Sequence, residues 1–235
     1  MDSACTLGAA DAARAIRDGE LKSEELVAAC LKRIDEFEPT VKAWTHLDPD
    51  HAMAQARAAD QLRYDGKTTG PLNGVPIGIK DIIDTSDYPT EYGSPIYADR
   101  TPMEDATAVA KLRAAGAVIL GKTVTTEFAV YAPGKTTNPH DATRTPGGSS
   151  SGSAAAVASM MVPLALGTQT NGSTIRPASF CGVVGYKPSF GTISRSGMLR
   201  QSPPLDQPGV FARSLDDAAL MAEVMMGFDA ADTYT

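Results

Sequence analysis

Hydroxyl groups and glycines are concentrated in one short stretch, TPGGSSSGSAAAVA, which covers residues 145–158. Two glycines, three consecutive serines, a further glycine and a fourth serine lead into alanines that favour a helix. A flexible linker would be rich in glycine and serine without a helix former behind it. The stretch therefore predicts a tight turn into a helix, where hydroxyls could bind a phosphate or act in nucleophilic catalysis.

Two nucleotide-binding patterns fail in this stretch. A phosphate loop of the form G-x-x-x-x-G-K-[ST] needs a lysine after its second glycine, but Ser153 follows Gly152. The dinucleotide pattern G-x-G-x-x-G fails as well, because the glycines stand at positions 147, 148 and 152. The preceding segment NPHDATRTP does not read as a strand, so the sequence argues against a nucleotide site.

A serine nucleophile on a sharp turn is the next alternative, since residues 148–152 match G-x-S-x-G with Ser150 at the centre. In that arrangement an acid and then a histidine follow the serine in the chain. The three histidines, His46, His51 and His140, all precede Ser150, which excludes a Ser–His–acid triad in that order. Each histidine also has an ordinary interpretation, near a strand edge, on a polar helix and in a loop, respectively. A nucleophilic serine would therefore need a different base.

Lysine can act as that base when burial keeps its amine neutral. Lys80 closes the apolar run VPIGIK and precedes Asp81, whereas several other lysines lie in polar or helical surroundings. Lys80 is therefore the candidate base. The alternative interpretation is a solvated lysine at the end of a strand.

The composition is that of an ordinary soluble globular protein, with 235 residues, 43% of them hydrophobic, and a net charge of −7. No basic stripe is present, which argues against a nucleic acid partner. No apolar run reaches the roughly 20 residues of a membrane span, and the N-terminus lacks the pattern of a secretory signal. Three distant cysteines, Cys5, Cys30 and Cys181, predict reduced thiols in the cytoplasm and no disulfide framework or structural zinc. No cofactor or metal is expected.

The order of predicted elements favours an α/β fold. Helices dominate residues 1–66, with Ser23 as the predicted cap of the second helix, and short apolar runs predict buried strands from about residue 75 onward. Predicted strands in VPIGIK, AVILG, VPLALGTQT and FCGVVGYKP alternate with helices in DATAVAKLRAAG, AAAVASMM and SLDDAALMAEVMM. We expect a single, incomplete domain over 1–235, with a helical layer over 1–66 and a catalytic α/β core over 67–235.

Several polar residues have local structural interpretations. Ser214, followed three positions later by Asp217, resembles a capping box. Ser151 and Ser153 are interpreted as helix caps, and Cys181 in SFCGVV as a small core residue on a buried strand. The proline-rich segment QSPPLDQPG is predicted to be a surface loop.

Five ordered stretches resemble the amidase signature family, whose members hydrolyse or transfer amides through a Ser–cis-Ser–Lys triad. They are PLNGVPIGIKD, PTEYGSP, TPGGSSSGSAAAVA, VPLALGTQTNGSTIRPASFCGVVGYKPSFG and GVFARSLDDAAL. The resemblance covers nearly the whole chain and is strongest over residues 71–217, with family-like order and spacing. It implies a mixed β-sheet core flanked by helices on both sides, and an amidase that hydrolyses a carboxylic amide through a serine acyl-enzyme.

The resemblance assigns a triad by position: Lys80 of GIKD, Ser149 of GGSSSG, and Ser173 of TNGST as the acyl-forming nucleophile. Lys80 would take the proton of Ser149, and Ser149 would take that of Ser173. The separation of the two serines is the one that the family pattern implies. The family also has a cis peptide bond at the serine that corresponds to Ser149.

The resemblance also implies supporting groups around the triad. Backbone N–H groups after the strand VPLALGTQ would form the oxyanion hole, and two side chains would orient the relay. The oxyanion residues are Thr170, Asn171, Gly172 and Ser173, and the orienting residues are Ser150 and Arg176. The commonest family pattern here is D-T-G-G-S, whereas this chain has Gln169 and Asn171 at the first and third positions. Asparagine can adopt left-handed backbone angles, so the turn is expected to survive.

Family members usually continue well beyond the helix of SLDDAALMAEVMMG, and the later part supplies further strands and much of the acyl pocket. Two alternatives to a hydrolase therefore remain open. One is an inactive fragment or subunit that needs a missing C-terminal half, and the other is an amidotransferase A-type subunit that passes ammonia to a partner. The expected partners are a small-molecule amide and, at an unpaired sheet edge, a second copy in a homodimer or the missing half. Neither a nucleic acid nor a membrane is expected as a partner.

Overall fold

The predicted alternation of helices and strands is present in the computed structural model, which describes residues 4–235. The α-helices of this part are α1 (Ala9–Asp18), α2 (Ser23–Val41), α3 (Pro49–Tyr64), α4 (Thr107–Ala114), α5 (Ser151–Ala158), α6 (Ile175–Cys181) and α7 (Leu215–Met225). The strands are β1 (Trp44–Leu47), β2 (Pro76–Lys80), β3 (Val118–Thr123), β4 (Leu164–Gln169), β5 (Val184–Tyr186) and β6 (Gln207–Ala212). Among these described residues, no helix is both long enough and apolar enough to cross a membrane.

The strands form one mixed sheet in the order β1-β3-β2-β4-β6-β5. The three central strands β3, β2 and β4 are parallel, and every other pairing in the sheet is antiparallel. Parallel neighbours need a crossover connection, which α4 supplies between β2 and β3 and α5 supplies between β3 and β4. The sheet is therefore of the mixed type that the family resemblance implies.

Helices cover both faces of the sheet, as that resemblance also implies. On one face, α1, α4 and α7 pack on strand residues that include Ile77, Ile79 and Leu164. On the other face, α2, α3, α5 and α6 pack on Ala165 and Phe211. Successive side chains of a strand point to opposite faces, so these nearly continuous apolar strands supply both cores at once.

The carboxyl ends of β2 and β4 mark the place where the chain can form a crevice. These strands are neighbours, but β2 leads to α4 on one face whereas β4 leads to α6 on the other. The two connections diverge, and ligand sites of open α/β sheets lie at such a point. Lys80 ends β2 and Gln169 ends β4, so both residues lie at this edge.

The helix that follows the serine-rich stretch lies unusually close to the sheet. A Cβ atom added at Gly152 would lie 2.4 Å from the Val124 nitrogen, so α5 requires glycine at this position. The Ser151 hydroxyl donates to the Val124 carbonyl at 3.3 Å, and the Ser153 hydroxyl to the Leu166 carbonyl at 3.2 Å. The prediction that these two serines cap the helix is therefore wrong, because their hydroxyls bind α5 to neighbouring segments of the sheet.

The start of α2 also differs from the prediction. Ser23 is the first residue of the helix rather than its cap, and its hydroxyl donates to the Gly74 carbonyl at 2.8 Å. The Asp60 carboxylate of α3 accepts hydrogen bonds from the backbone N–H groups of Ser23 and Glu24, at 2.8 and 3.0 Å. A side chain distant in sequence therefore caps the first two N–H groups of the helix, and the Glu25 carboxylate accepts from the Lys22 N–H at 3.0 Å.

Of the two hydrogen bonds that a capping box at Ser214 and Asp217 predicts, one is present. The Ser214 hydroxyl accepts a hydrogen bond from the Asp217 backbone N–H at 3.1 Å, as an N-cap does. The Asp217 carboxylate does not reach back in return. It accepts from the Ala10 backbone N–H at 2.8 Å and so joins the start of α1 to α7.

Three further assignments made from the sequence change. The sequence suggests a strand edge near His46 but gives no bounds for β1, because four residues between two helices carry little periodicity. Cys181 ends α6 instead of lying on a strand, although it is buried as predicted, and burial raises the pKa of its thiol to about 12. The segment QSPPLDQPG is not a surface loop throughout, since Asp206 is buried and Gln207 begins β6.

Candidate active site

The Lys80 side chain is fully buried, so the interpretation of a solvated lysine is wrong. Its amine donates hydrogen bonds to the hydroxyls of Ser149 and Thr168, at 2.8 and 2.9 Å. Burial lowers the pKa of this amine to about 7, and the negative charge of Asp206 opposes that shift. The amine is therefore available in its neutral form near neutral pH, as a general base must be.

Ser149 lies in the turn immediately before α5, between Lys80 and a surface cavity. The peptide bond between Gly148 and Ser149 is cis, as the family resemblance implies. The Ser149 carbonyl accepts a hydrogen bond from the Thr126 backbone N–H at 3.1 Å, which fixes the turn against the segment after β3. The Ser149 hydroxyl accepts the hydrogen bond from the lysine, and Ser149 is one of the residues that line the cavity.

The cavity has a volume of about 190 Å³ and contains the two predicted relay serines, Ser149 and Ser173, in its wall. Lys80 is not among the residues that line the cavity, and its amine binds Ser149, which is. The remaining wall is apolar at residues 129–131 and polar elsewhere, with Thr170, Asn171, Arg176, Gln201 and Ser202.

The turn between β4 and α6 holds Ser173 beside Ser149. The backbone N–H of Ser150 donates to the Ser173 carbonyl at 3.4 Å, which joins the two serine-bearing segments directly. The left-handed position of the turn is Gly172, with φ of +84°, so Asn171 does not need to adopt that conformation. Within the described part of the chain, the backbone N–H groups of residues 171–173 have no acceptor. These groups are therefore free to bind an oxygen atom of a ligand.

Gln169 stands where the family pattern most often has an aspartate, and its side chain still acts as an acceptor. Its amide oxygen accepts hydrogen bonds from the backbone N–H groups of Thr174 and Ile175, both at 3.0 Å. These are orphan donors at the start of α6. The neutral amide therefore supports the turn at this place without adding a charge to the site.

The two residues predicted to orient the relay, Ser150 and Arg176, bind the backbone of the segments that carry it. The Ser150 hydroxyl donates to the Thr168 carbonyl at 3.1 Å and accepts from the Thr168 N–H at 3.3 Å. The Arg176 guanidinium donates to the Asn171 carbonyl at 2.8 Å and to the Gly148 carbonyl at 3.4 Å. Ser150 therefore joins the start of α5 to β4, and Arg176 joins the serine-rich turn to the β4–α6 connection.

The three histidines contact groups other than Ser149 and Ser173. His46 lies 3.0 Å from a carboxylate oxygen of Glu91, and His51 lies 2.8 Å from one of Asp87. The His140 ring lies 2.8 Å from a backbone carbonyl oxygen at the end of α6. This placement agrees with the sequence argument that a histidine is not the base for these serines.

One wall of the cavity was not predicted from the sequence. Gln201 and Ser202 line it, and the buried carboxylate of Asp206 binds them from behind. These residues lie in the proline-rich segment QSPPLDQPG, which resembles a solvent-exposed loop. The available signal was an aspartate placed directly before the apolar run of β6.

A family model described as Amidase matches residues 25–235. The chain belongs to the amidase family. The A subunit of glutamyl-tRNA(Gln) amidotransferase from Chloroflexus aurantiacus is 48% identical over 233 residues, which are 97% of this chain and 47% of that protein. The native peptide amidase from Stenotrophomonas maltophilia matches with a TM-score of 0.92 and 38% identity, over 97% of this chain and 49% of that one. The A subunit of glutamyl-tRNA(Gln) amidotransferase from Thermotoga maritima matches with a TM-score of 0.79 and 38% identity, over 91% of this chain and 46% of that one.

This amidase-family chain spans about half the length of the relatives it matches. The resemblance inferred from the five sequence stretches is confirmed by the family match and by the shared fold. Its solved neighbours in the amidase family include a peptide amidase and one component of an amidotransferase.

Proposed function

We propose that the chain carries the nucleophile and base of an amide hydrolase, with Ser173 as nucleophile and Ser149 and Lys80 as its proton relay. The observation that carries this proposal is the 2.8 Å hydrogen bond between the buried Lys80 amine and Ser149, a residue that lines the same cavity as Ser173. A buried amine with a pKa of about 7 can accept a proton where an exposed lysine cannot.

The reaction follows from that arrangement. The Ser173 oxygen attacks the amide carbonyl while its proton moves to Ser149 and the Ser149 proton moves to the neutral Lys80 amine. The resulting oxyanion receives hydrogen bonds from backbone N–H groups of Thr170, Asn171, Gly172 and Ser173, the turn of residues 170–173.

Collapse of the tetrahedral intermediate breaks the C–N bond. The proton held by Lys80 returns through Ser149 to the leaving nitrogen, so the amine departs neutral and the acyl group remains on Ser173. Water then attacks the ester, releases the carboxylic acid and restores the Ser173 hydroxyl. Lys80, Ser149 and Ser173 end in the protonation states in which they began.

The roles of Ser150 and Arg176 in this scheme are to hold the reacting segments together. The Ser150 hydroxyl binds the backbone of Thr168, whose own hydroxyl accepts a hydrogen bond from the Lys80 amine. Arg176 joins the oxyanion turn to the carbonyl of Gly148. Such groups keep the reacting atoms within the narrow range of positions that the relay needs.

Labelling with a fluorophosphonate probe, followed by intact-mass spectrometry and peptide mapping, tests the proposal. We expect one adduct on Ser173, no adduct in Ser173→Ala, and almost none in Lys80→Ala. Ser179→Ala is the matched control, because Ser179 is an exposed serine of α6, and it should label as the wild type does. An adduct on Ser149 would instead make that residue the nucleophile, and full labelling of Lys80→Ala would remove lysine from the relay.

A folded chain without any adduct would favour the alternative of an inactive fragment that needs a missing C-terminal half. This outcome is informative because the chain spans only about half of its relatives. Thermal unfolding monitored by circular dichroism separates it from a chain that has not folded.

A second candidate function is amide transfer within a complex. It is favoured by the 48% identity to a protein named as the A subunit of an amidotransferase. Hydrolysis predicts that the chain alone releases ammonia from an amide substrate. Transfer predicts that the released ammonia reaches an acceptor only when a partner protein is present.

A further inference from the structure

Asp206 is buried directly before β6, and its carboxylate binds two segments that border the cavity. One oxygen accepts a hydrogen bond from the Thr170 hydroxyl, at the start of the oxyanion turn. The other oxygen accepts from the backbone N–H groups of Gln201 and Ser202, both at 2.8 Å. The Asp206 backbone N–H donates in turn to the Ser202 carbonyl at 2.9 Å. One side chain therefore fixes both sides of the same opening.

The two segments also contact each other through Gln201. Its amide oxygen lies 3.0 Å from the Thr170 hydroxyl, and its amide nitrogen donates to the Phe128 carbonyl at 2.8 Å. The cavity wall thus continues from the oxyanion turn through Gln201 to residues 128–131. Loss of the Asp206 carboxylate would remove the hydrogen bonds that hold Thr170, Gln201 and Ser202 in this wall.

Asp206 and Lys80 bind hydroxyls only two positions apart in the chain, since Thr170 donates to the Asp206 carboxylate and Thr168 accepts from the Lys80 amine. The negative charge of Asp206 raises the pKa of Lys80, against the larger effect of burial, which lowers it. The amine itself binds the neutral hydroxyls of Ser149 and Thr168. A negative charge at this place matters most when the relay runs, because Lys80 then becomes an ammonium ion.

Other charged groups of the surrounding segments have different partners. The Asp81 carboxylate accepts hydrogen bonds from the backbone of residues 91 and 93, and one of its oxygens lies 4.0 Å from the Lys122 amine. Lys122 is paired with Ile79 in the sheet register and so points to the face opposite Lys80. The Arg176 guanidinium is exposed and binds backbone carbonyls.

We propose that Asp206 is a positioning residue for the proposed amide hydrolysis, which fixes the oxyanion turn through Thr170 and provides the negative charge that stabilises protonated Lys80. The inference rests on the proposed function, since it assigns Asp206 a part in that reaction. It predicts that the two effects can be separated. The hydrogen bond to Thr170 controls the geometry of the turn, and the charge controls the protonation of Lys80.

The test combines two measurements on the full chain. The titration of Lys80 is followed by NMR of lysine labelled with carbon-13 at Cε, with Lys80→Met to assign the signal. The rate at which Ser173 reacts with a fluorophosphonate probe is measured by intact mass across the same pH range. In Asp206→Asn we expect the Lys80 midpoint to move to lower pH and the labelling rate to fall roughly 10- to 100-fold.

Two variants separate the effects, and one serves as a control. Thr170→Val removes the hydrogen bond but keeps the charge, so labelling should slow while the Lys80 midpoint stays in place. Asp206→Glu keeps the charge on a longer side chain and should behave like Thr170→Val. If Asp206→Asn does not fold, Asp206→Glu replaces it in the labelling test, and Asp206→Ala replaces it in the titration because alanine also removes the charge. Asp217→Asn changes another buried carboxylate, which binds the start of α1, and should alter neither measurement.

The outcomes distinguish this inference from the proposed function. If Asp206→Asn, or Asp206→Glu in its place, and Thr170→Val label as fast as the wild type, the positioning role is overturned. If the Lys80 midpoint is unchanged in Asp206→Asn, the electrostatic role is overturned. If the wild type never labels at Ser173 while the midpoint moves in Asp206→Asn, the proposed function fails and the action of Asp206 on Lys80 stands.

Discussion

Replacing Lys80 by methionine measures what it costs the fold to keep this amine buried. The pKa of Lys80 falls from its ordinary 10.5 to about 7, which corresponds to about 5 kcal/mol of unfavourable free energy for the charged form. Methionine fills a similar volume without charge, but it leaves the hydroxyls of Ser149 and Thr168 without their partner, at a cost of about 1–3 kcal/mol. At pH 6 we therefore expect Lys80→Met to be more stable than the wild type by about 2–4 kcal/mol.

The advantage of Lys80→Met should disappear as the pH rises. Below pH 7 the wild-type amine is protonated in both states, so the burial penalty is fully present. Between pH 7 and 10.5 the unfolded chain binds more protons than the folded chain, so the wild-type free energy of unfolding increases with pH. Near pH 10 the folded amine is neutral and keeps both hydrogen bonds, and the wild type should then be the more stable protein.

Urea unfolding at pH 6, 8 and 10, followed by circular dichroism, measures this difference. Lys67→Met is the control, because the Lys67 side chain is 61% exposed, and its effect on the free energy of unfolding should be small at each pH. A difference between Lys80→Met and the wild type that stays constant over this range would refute the reasoning. It would mean that Lys80 does not change its protonation between the folded and unfolded states in this window.

Three further substitutions test the fold and the turn. Gly172→Ala should slow fluorophosphonate labelling by at least about 10-fold. The position has φ of +84°, and a new Cβ would lie 2.8 Å from the Arg176 guanidinium. Unchanged labelling would contradict the assigned turn. Ser214→Ala should lower the free energy of unfolding by about 1 kcal/mol in urea, through loss of the α7 cap, and no loss would show that the cap is unimportant. Phe211→Ala should cost about 3–5 kcal/mol in the same assay, far more than Phe228→Ala at a 74% exposed side chain, and equal costs would contradict the described core.

The parts of the site that the sequence predicted are those with a strong local signal. Lys80 ends an apolar run, and a charged residue at that position is notable without any structure. The serine-rich turn precedes a helix former, and the turn at residues 170–173 follows a clear strand. Placing Lys80, Ser149 and Ser173 around one site came from the family resemblance, because nothing in their spacing reveals that β2 and β4 are neighbours.

The parts that the sequence did not predict depend on contacts between distant residues. Asp206 becomes a buried anchor only because Thr170 and the backbone of residues 201–202 surround it. Ser151 and Ser153 bind carbonyls outside their own helix, which a pattern of local capping cannot show. The four-residue strand β1 is defined by its pairing with β3 rather than by its own composition.

The position of the site at the junction of β2 and β4 has a kinetic consequence for folding. The bond from Lys80 to Ser149 joins residues 69 positions apart across one crossover connection, and the bond to Thr168 joins residues 88 positions apart across two. Contacts of such long range form only after the intervening chain has closed into loops, and parallel sheets are slow to assemble for this reason. The labelling of Ser173 that the proposed function predicts should therefore appear late during refolding, after most helical signal has returned. In this chain, the time at which covalent labelling appears during refolding would therefore report when the central sheet has formed.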